Sequence, residues 1–393
     1  MPYEVVDAKL GEIQKDVNEA VMDIGDKCGI KQILTADSHY IDKHDYDTYQ
    51  VMHQIAHHKM GVDYSQRYMP SADEIAKRFR DMHHSNPARL MDATMEIADK
   101  CNVHDLAYKE SVPKFDWGNR TSAEVLKHLV VRGLKRRGKW SERYIERARR
   151  ELHVIIKDLG FEDYFLLCYD NMRFAKKHGI AVGPGRGSNC DCLVSYAIGL
   201  TETDPIALDL DFERFLRPDK KKLPDIDMDF GQDRRGEVID YIMKKHHGRA
   251  AQIATFGYFK VDNLANDLIR VFEMDKEEGK TFKGALHAEI PDDRVPEVEL
   301  GALLKNRTLR VMNNRYHNIV KHFSRLYGQV RFIGKHAAGV AITAGPIADY
   351  CAIMKRNGVL QTSFDMNDLT TLNILKIDIL GLSTASVLQT ASK

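Results

Sequence analysis

The segment Leu223–Phe230, with the sequence L-P-D-I-D-M-D-F, limits the fold of this chain more than any other feature. Asp225, Asp227 and Asp229 occupy every second position, and apolar residues separate them. On a β-strand, predicted here at 226–230, this alternation places three carboxylates on one face and the apolar side chains on the other. Because aligned like charges repel, the acids need a cation or a basic partner. The segment predicts a cation site or, alternatively, an acidic edge strand.

A second apolar strand is predicted at 374–379, within the stretch I-L-K-I-D-I-L-G-L. Its charged residues, Lys376 and Asp378, share one face by alternation. An acid in such a strand is costly to bury unless it is paired with a base or binds a metal ion. Magnesium suits carboxylate oxygens, and two such ions about 3.5–4 Å apart can activate an attacking oxygen and stabilise a leaving one. The pattern is consistent with a magnesium site and with a plain Lys–Asp ion pair.

A glycine-rich loop, G-P-G-R-G-S at 183–188, follows a predicted strand at 180–182 and precedes a helix predicted at 193–198. Three glycines let backbone amides approach an anion, and Arg186 and Ser188 add hydrogen-bond donors. The spacing matches neither the P-loop nor the dinucleotide-binding fingerprint. The loop therefore predicts a phosphate contact or, as the alternative, a tight surface turn.

Basic residues are concentrated in two stretches, although the net charge of the 393 residues is only +1. Between Arg120 and Glu151 there are eleven Lys and Arg against four Glu, and between Lys305 and Lys335 there are eight and no acid. Such stretches present either a phosphate-binding face or a solvated helix surface. Because two of them flank the acidic segment in the sequence, they favour a DNA-binding interpretation.

Composition excludes several other classes of protein. No apolar run reaches the roughly 18 residues that a membrane span needs, and the N-terminus lacks the pattern of a signal peptide. The six cysteines form neither a disulfide framework nor a C-x-x-C zinc pattern. We expect a chain that works in a reducing cytoplasm.

Several segments, taken in order, resemble the family C polymerases, the alpha subunits of bacterial DNA polymerase III. The resemblance covers nearly the whole chain. It is carried by G-F-E-D-Y-F-L-L-C (160–168), A-V-G-P-G-R-G-S (181–188), L-D-L-D-F-E-R-F-L-R-P (208–218), L-P-D-I-D-M-D-F (223–230), Q-I-A-T-F-G (252–257), G-K-H-A-A-G-V-A-I-T (334–343), F-D-M (364–366) and L-K-I-D-I-L-G-L (375–382).

The resemblance implies a DNA-templated DNA polymerase core that uses two Mg²⁺ ions, deoxynucleoside triphosphates and primer–template DNA. Asp225 and Asp227 would be the first two catalytic and metal-binding aspartates, Asp378 the third, and Asp229 a supporting acid. The implied contacts to the incoming nucleotide are Gly187, Ser188, Arg214 and Lys376.

The fold that the resemblance implies is α/β (α+β), with a beta-type nucleotidyltransferase palm, a helical thumb insertion and part of a polymerase-and-histidinol-phosphatase (PHP) domain. The implied domains are the end of the PHP domain (1–105), the first part of the palm (106–256), the thumb (257–333) and the second part of the palm (334–393). The thumb would contact DNA through Lys305, Arg307, Arg310, Arg315, Lys321 and Arg325.

In the PHP-like part, the segment A-D-S-H-Y (36–40) follows a strand predicted at 31–36. By resemblance, Asp37 and His39 are metal ligands of this domain. The N-terminal histidine motifs of the domain are absent, so a complete metal cluster cannot form from this chain alone. We therefore expect no 3′–5′ exonuclease or phosphoesterase activity, and a metal phosphoesterase centred on this pair is a competing hypothesis.

The chain departs from the family in two ways. Family members continue after the palm into fingers, a clamp-binding region and an oligonucleotide-binding fold, so polymerisation is expected to need a second polypeptide or a longer chain. The alternatives are one half of a split polymerase and a catalytically inactive DNA-binding remnant. In addition, N-C-D-C (189–192) follows the glycine-rich loop where the family has small residues. We expect Asp191 to face away from the triphosphate.

Overall fold

The computed structural model describes residues 8–57, 64–83, 85–101, 112–219, 223–292 and 295–391. The chain divides into two compact units. Unit 1 consists of Met1–Asp105 and Gly257–Phe332, and unit 2 of Leu106–Phe256 and Ile333–Lys393.

The α-helices of the described residues are α1 (Ala8–Cys28), α2 (Tyr46–Ile55), α3 (Ala72–His83), α4 (Ala88–Lys100), α5 (Ser122–Arg136), α6 (Glu142–His153), α7 (Glu162–Lys177), α8 (Leu193–Ile198), α9 (Arg235–Lys245), α10 (Val261–Val271), α11 (Lys276–Glu289), α12 (Leu300–Leu303), α13 (Arg307–Arg315), α14 (Ile319–Leu326), α15 (Met366–Thr371) and α16 (Ser383–Ala391). Among them, no helix is both long enough and apolar enough to cross a bilayer.

The strands of the described residues are β1 (Met228–Gly231), β2 (Ala250–Tyr258), β3 (Val330–Ile342), β4 (Ile353–Arg356), β5 (Val359–Thr362) and β6 (Leu375–Leu382). They form one six-stranded sheet in the order β1-β6-β3-β2-β5-β4. β1 runs parallel to β6, whereas β3 runs antiparallel to β6. A mixed sheet with many helices confirms the predicted α/β (α+β) class, of the nucleotidyltransferase-like palm type.

The centre of unit 2 is built on β1 and β6. Phe230 on β1 and Ile379 on β6 are fully buried in the main apolar core of this unit. Helix α5 covers the same core and begins at a capping box, in which Thr121 accepts the backbone N–H of Glu124. The strand pair is therefore held rigidly, which fixes the positions of the charged residues that it carries.

Two of the predicted strands differ from the structure at their ends. The strand predicted at 226–230 begins only at Met228, because the N–H of Ile226 donates to the Tyr164 hydroxyl (3.3 Å) rather than to a neighbouring strand. The segment predicted at 180–182 is reduced to a single antiparallel bridge between Val182 and Phe230. The strand predicted at 374–379 is confirmed as β6 and extends to Leu382.

The strand predicted at 31–36 is wrong, because the structure assigns no strand to these residues. An alternating sequence predicts extended backbone, whereas a strand also requires the ladder hydrogen bonds of a second segment.

Unit 1 has a core of its own, in which α2 packs with α10 and α14. The contact includes a buried hydrogen bond of 2.9 Å between Thr48 Oγ1 and His322 Nδ1, and an ion pair of 2.9 Å between Lys321 and Asp47. Residues of the predicted PHP-like part and of the predicted thumb thus lie in one unit. The assignment of these segments to a PHP domain, palm and thumb stays a prediction.

Candidate active site

Three carboxylates, one from β6 and two from the segment that leads into β1, meet at one point of unit 2. One oxygen atom each from Asp225, Asp227 and Asp378 lies within 4.8 Å of the other two. The register explains the convergence, because Met228 on β1 lies opposite Ile379 on β6. Asp227 and Asp378 each precede these residues by one position, so parallel pairing sets them side by side. The structure therefore brings together the three predicted catalytic aspartates.

The charge of this carboxylate cluster is incompletely balanced by the chain. Burial, and next the negative charge of Asp225, raise the pKa of Asp227, although Arg186 acts in the opposite direction. Asp378 Oδ1 is buried and has no hydrogen-bond partner among the described residues. Converging carboxylate oxygens with one of them orphaned fit a hard cation such as Mg²⁺ better than a soft metal.

Lys376 lies directly beside the cluster. Its Nζ is 2.6 Å from Asp378 Oδ2, and it lies 3.0 Å from the sulfur of Met366 at the start of α15. Lys376 therefore neutralises one oxygen of Asp378, whereas the other, Oδ1, is buried and has no hydrogen-bond partner among the residues described. The two interpretations of the Lys–Asp pair, ion pair and third carboxylate, are compatible in this geometry.

The glycine-rich loop begins beside the acids of β1. The N–H of Gly183 donates to the carbonyl of Asp229 (2.9 Å), and a side chain at Gly183 would place its Cβ only 2.7 Å from the Cβ of Asp229. Gly187 has a φ of +65°, and its Cβ would lie 3.7 Å from Asp227 Oδ2. Glycine at these two positions permits the close approach that a phosphate-binding loop requires. Ser188, the neighbouring predicted nucleotide contact, is exposed.

Arg186, which was predicted from sequence only as a donor of the glycine-rich loop, lies against two of the alternating acids. Its Nη2 donates to Asp229 Oδ1 (2.7 Å), and its Nε lies 3.9 Å from Asp227 Oδ2. Asp229 is buried and is held by this arginine, outside the group of three converging carboxylates. An arginine between two loop glycines, together with a third alternating acid, was the signal that could have predicted this pair.

His336 lies in the segment 334–343, which carries part of the family resemblance. Its Nδ1 accepts the N–H of Gly339 at 2.6 Å. Gly339 lies opposite Asp378 in the β3–β6 ladder, so the imidazole fixes the backbone that faces the third aspartate.

Arg214 and Asp191 lie next to each other. Arg214 Nε is 3.7 Å from Asp191 Oδ2, and the Arg214 side chain is otherwise exposed. The Asp191 carboxylate is buried, and its Oδ2 has no hydrogen-bond partner among the described residues. The acid that follows the loop thus pairs with a predicted triphosphate contact; whether it faces away from the triphosphate stays a prediction.

A cavity of about 460 Å³ opens beside the carboxylate cluster. Its wall combines the charged residues Asp225 and Lys376 with apolar residues, among them Pro224, Ile374 and Leu375. Apolar walls with a few convergent polar groups are typical of small-molecule sites, and the volume falls within the usual range.

In unit 1, an arginine accompanies the predicted metal ligands Asp37 and His39. Arg67 Nη1 donates to Asp37 Oδ2 (2.7 Å) and lies 3.1 Å from His39 Nε2. The other ring nitrogen, His39 Nδ1, is 2.8 Å from the Tyr49 hydroxyl. Within the described ranges, no third acid, histidine or cysteine joins this pair to form a possible metal cluster.

The predicted DNA-binding residues of the thumb separate into two groups. Lys321 pairs with Asp47, Arg325 with Asp45, and Arg315 with Glu278. The other three, Lys305, Arg307 and Arg310, are exposed and have no acidic partner within 4 Å among the residues described.

The sheet, its converging carboxylates and the adjacent glycine-rich loop define the class of protein: a nucleotidyltransferase-like palm. Comparison with known proteins agrees, since residues 124–381 match the family model described as the bacterial DNA polymerase III alpha NTPase domain. The chain belongs to the bacterial DNA polymerase III alpha family.

Relatives of known name include the DNA polymerase III subunit alpha of Bacillus subtilis (strain 168), which is 32% identical over 95% of this chain and 34% of its own length. The subunits of Borreliella burgdorferi and Thermus aquaticus are 31% and 29% identical, over 96% and 97% of this chain and 33% and 36% of their own lengths. The chain thus spans about a third of the length of these relatives.

Proposed function

We propose that this chain is the catalytic core of a DNA-templated DNA polymerase, which adds deoxynucleotides to a primer 3′ end in replication. The observation that carries the proposal is the convergence of Asp225, Asp227 and Asp378 within 4.8 Å. Membership of the polymerase III alpha family supports the same activity.

The three aspartates would hold two Mg²⁺ ions. Bound there, the ions would supply charge neutralisation for the attacking and leaving oxygens of an in-line phosphoryl transfer. The chain itself positions these carboxylates. The parallel pairing of β1 with β6 sets them side by side, and Lys376 pairs with Asp378 Oδ2 while Oδ1 has no hydrogen-bond partner among the described residues. The primer 3′-hydroxyl would attack the α-phosphate, and pyrophosphate would leave.

The incoming deoxynucleoside triphosphate would lie between the glycine-rich loop and the carboxylates. Gly187 leaves room for phosphate oxygens near Asp227, and Ser188 adds a hydroxyl donor at the exposed surface of the loop. Arg214 and Lys376 would balance the charge of the triphosphate, because phosphoryl transfer depends more on cations around the phosphate oxygens than on covalent chemistry.

Primer–template DNA would be gripped through its phosphates by the basic residues of the thumb, without reading sequence. A second polypeptide that carries fingers and clamp-binding regions would complete the nucleotide site. The PHP-like part would contribute no exonuclease or phosphoesterase activity, since Arg67 rather than a third ligand accompanies Asp37 and His39. The site of action would be the cytoplasm.

Primer extension with Mg²⁺ tests this proposal. We compare the wild-type chain with Asp227→Asn, alone and with a polypeptide that supplies the fingers. The matched control is Glu237→Gln, which removes an exposed acid of α9 that pairs with Arg234 at the N-cap of that helix. We expect the extension rate to fall by a factor on the order of 10²–10³ in Asp227→Asn, because transition-state charge loses its support, and to be unchanged in the control.

The arms of the experiment separate the alternatives. Extension that requires the second polypeptide identifies one half of a split polymerase, which still supports the proposal. If wild type extends no primer in either arm but binds primer–template DNA, the chain is a DNA-binding remnant and the proposal is wrong.

A further inference from the structure

Three of the proposed nucleotide contacts lie on two short 3₁₀ turns of unit 2. Gly187 and Ser188 belong to the turn Gly187–Asp191, and Arg214 belongs to the turn Phe212–Arg214. Short 3₁₀ turns make few hydrogen bonds of their own, and the geometry of these bonds is poorer than in an α-helix. Contacts from outside the turns must therefore fix the backbone at both places.

Arg147 on α6 connects the two turns. Its Nη2 donates to the carbonyl of Asp191, the last residue of the first turn, and to the carbonyl of Leu210, two residues before the second (3.1 Å each). The guanidinium also lies over the ring of Phe212, with 6.0 Å between Cζ and the ring centroid. One side chain thus contacts the end of the first turn, the residues that lead into the second, and the second turn itself.

Glu151, four residues further along α6, holds this arginine in place. Its Oε1 accepts the Nε–H of Arg147 (2.6 Å), and its Oε2 accepts the N–H of Val194 (3.0 Å) and the thiol of Cys192 (3.3 Å). Glu151 is fully buried, and both of its carboxylate oxygens are hydrogen-bonded. Because Cys192 follows the first turn directly, this carboxylate fixes the backbone on the far side of the same turn.

Stability alone does not account for a charged pair at this place. Two buried charges are costly to desolvate, and apolar residues of similar volume often stabilise a core as well or better. The Arg147–Glu151 pair provides directed hydrogen bonds, which an apolar pair cannot make. These bonds end on three backbone groups that flank the predicted nucleotide contacts, namely the carbonyls of Asp191 and Leu210 and the N–H of Val194.

We propose that Arg147 and Glu151 are positioning residues of the nucleotide site, which keep the glycine-rich loop and the guanidinium of Arg214 at the separation that a triphosphate requires. The inference rests on the proposed polymerase function. Both residues act through the backbone of the two turns, and Asp191, 3.7 Å from Arg214 Nε, adds a second link between them. A ligand that spans two segments binds more tightly when the segments are already held in place.

Arg147→Lys tests the proposal in primer extension by the full chain, in the arm where wild type is active. A lysine keeps the charge that compensates Glu151 but lacks the planar fork that reaches the acid on one side and two carbonyls on the other. We expect the KM for the deoxynucleoside triphosphate to rise about tenfold or more, because misplaced contacts bind the nucleotide less well. The Kd for primer–template DNA, measured by fluorescence anisotropy, should stay unchanged.

The matched control is Arg270→Lys in unit 1. Arg270 likewise pairs with an acid of its own helix, Asp267 (3.3 Å), and donates to a backbone carbonyl, that of Ile55 (2.9 Å). We expect this control to leave the KM for the nucleotide unchanged. A second variant, Glu151→Gln, replaces one accepting oxygen with an NH₂ group that faces a donor, so we expect it to raise the same KM.

Hydrogen exchange, followed by mass spectrometry, reports on the two turns without requiring activity. The N–H of Cys192 donates to the carbonyl of Asn189 (3.3 Å), and the N–H of Phe215 donates to the carbonyl of Phe212 (2.9 Å). These amides are protected only while each turn is closed. We expect the peptides that contain them to exchange faster in Arg147→Lys than in wild type, and at the wild-type rate in the control.

The possible results separate this inference from the polymerase proposal. If extension by Arg147→Lys falls while the KM for the nucleotide is unchanged, the pair supports only the fold and the inference is wrong. Unchanged hydrogen exchange in Arg147→Lys, or an equal rise of KM in the control, overturns it as well. If wild type extends no primer in either arm but Arg147→Lys still exchanges faster, the link between the turns is supported and the polymerase proposal has failed.

Discussion

Asp378 is the residue on which the candidate site depends most, because it connects the carboxylate cluster to a basic partner. Its Oδ2 is 2.6 Å from Lys376 Nζ, while its buried Oδ1 has no hydrogen-bond partner among the described residues. One oxygen of this carboxylate is thus held by a base, and the other has a lone pair to offer to a cation. Lys376 consequently positions the third aspartate in addition to its proposed contact with the triphosphate.

Replacing Lys376 tests that dual role. In Lys376→Met the carboxylate loses the partner that orients it, so we expect the rate of primer extension to fall by a factor on the order of 10². Lys376→Arg, which keeps the charge, should recover part of the rate. The measurement is single-turnover extension at saturating nucleotide, and equal rates for wild type and Lys376→Met would contradict the role.

Arg67 contacts both members of the Asp37–His39 pair. The guanidinium lies within 2.7 Å of Asp37 and 3.1 Å of His39, so a positive charge of the chain already faces both side chains. We expect the double variant Asp37→Asn/His39→Gln to keep the metal content of the protein, measured by plasma emission spectrometry, and any phosphatase activity. Loss of a bound metal ion in the double variant would restore the phosphoesterase hypothesis.

At the scale of elements, prediction from sequence succeeded where one segment contained all the information. Helix α8 was predicted at 193–198 and spans Leu193–Ile198, because an apolar run ends at Gly199, whose φ is +81°. Strands β4 and β5 were not predicted, since each has only four residues and depends on its neighbours in the sheet. The strand at 31–36 was wrong for a related reason: alternation predicts an extended segment but not a partner for it.

Helix α13 carries the two predicted DNA-binding residues that are most suitable for a test. Arg307 and Arg310 on this helix are exposed without acidic partners within 4 Å among the described residues, whereas Lys321 on α14 is paired with Asp47. We expect Arg307→Glu/Arg310→Glu to weaken primer–template binding and to reduce the slope of log Kd against log salt by about 1 for each lost phosphate contact.

The control for this prediction is Lys321→Met. Because Lys321 already neutralises Asp47, its removal should lower the urea midpoint of unfolding and leave the salt slope unchanged. Fluorescence anisotropy at several salt concentrations measures both variants. If the salt slope fell in Lys321→Met but not in Arg307→Glu/Arg310→Glu, Lys321 rather than the two arginines would contact the DNA phosphates, and the prediction would be wrong.

For the whole molecule, the acids of the candidate site could be predicted from the sequence. The way in which the fold brings them together could not. Alternation indicated that Asp225 and Asp227 could act together, the apolar strand marked Asp378 as a possible magnesium ligand, and the resemblance joined the three. No local pattern shows that β1 and β6 pair in parallel, and that pairing is what brings the third acid to the first two. The pairing of Asp229 with Arg186 likewise arises from tertiary packing, since 43 positions separate the two residues.

His246 predicts how the stability of the molecule depends on pH. This side chain is buried without hydrogen-bond partners among the described residues, and burial lowers its pKa to about 4. The unfolded chain therefore takes up a proton near pH 6.5, before the folded chain does, so stability is lost as pH falls from about 6.5 towards 4. Between pH 7 and pH 5 we expect this residue to cost about 2 kcal/mol.

Urea unfolding of His246→Leu at both pH values isolates this effect. The variant lacks the titrating group, so the difference in its unfolding free energy between pH 7 and pH 5 should be smaller than in wild type by about 2 kcal/mol. An identical pH dependence in the two proteins would show that His246 does not titrate in this way.

The measurement that tests the central claim most directly is the number of Mn²⁺ ions, as a stand-in for Mg²⁺, that the chain binds with primer–template DNA and a nucleotide present. Electron paramagnetic resonance counts the ions in wild type, in Asp225→Asn/Asp378→Asn and in the control Glu237→Gln. We predict two ions in wild type and in the control, and their loss in the double variant, because the converging carboxylates are the ligands. The same number of ions in all three proteins would contradict a metal-binding role of these aspartates and, with it, the proposed polymerase site.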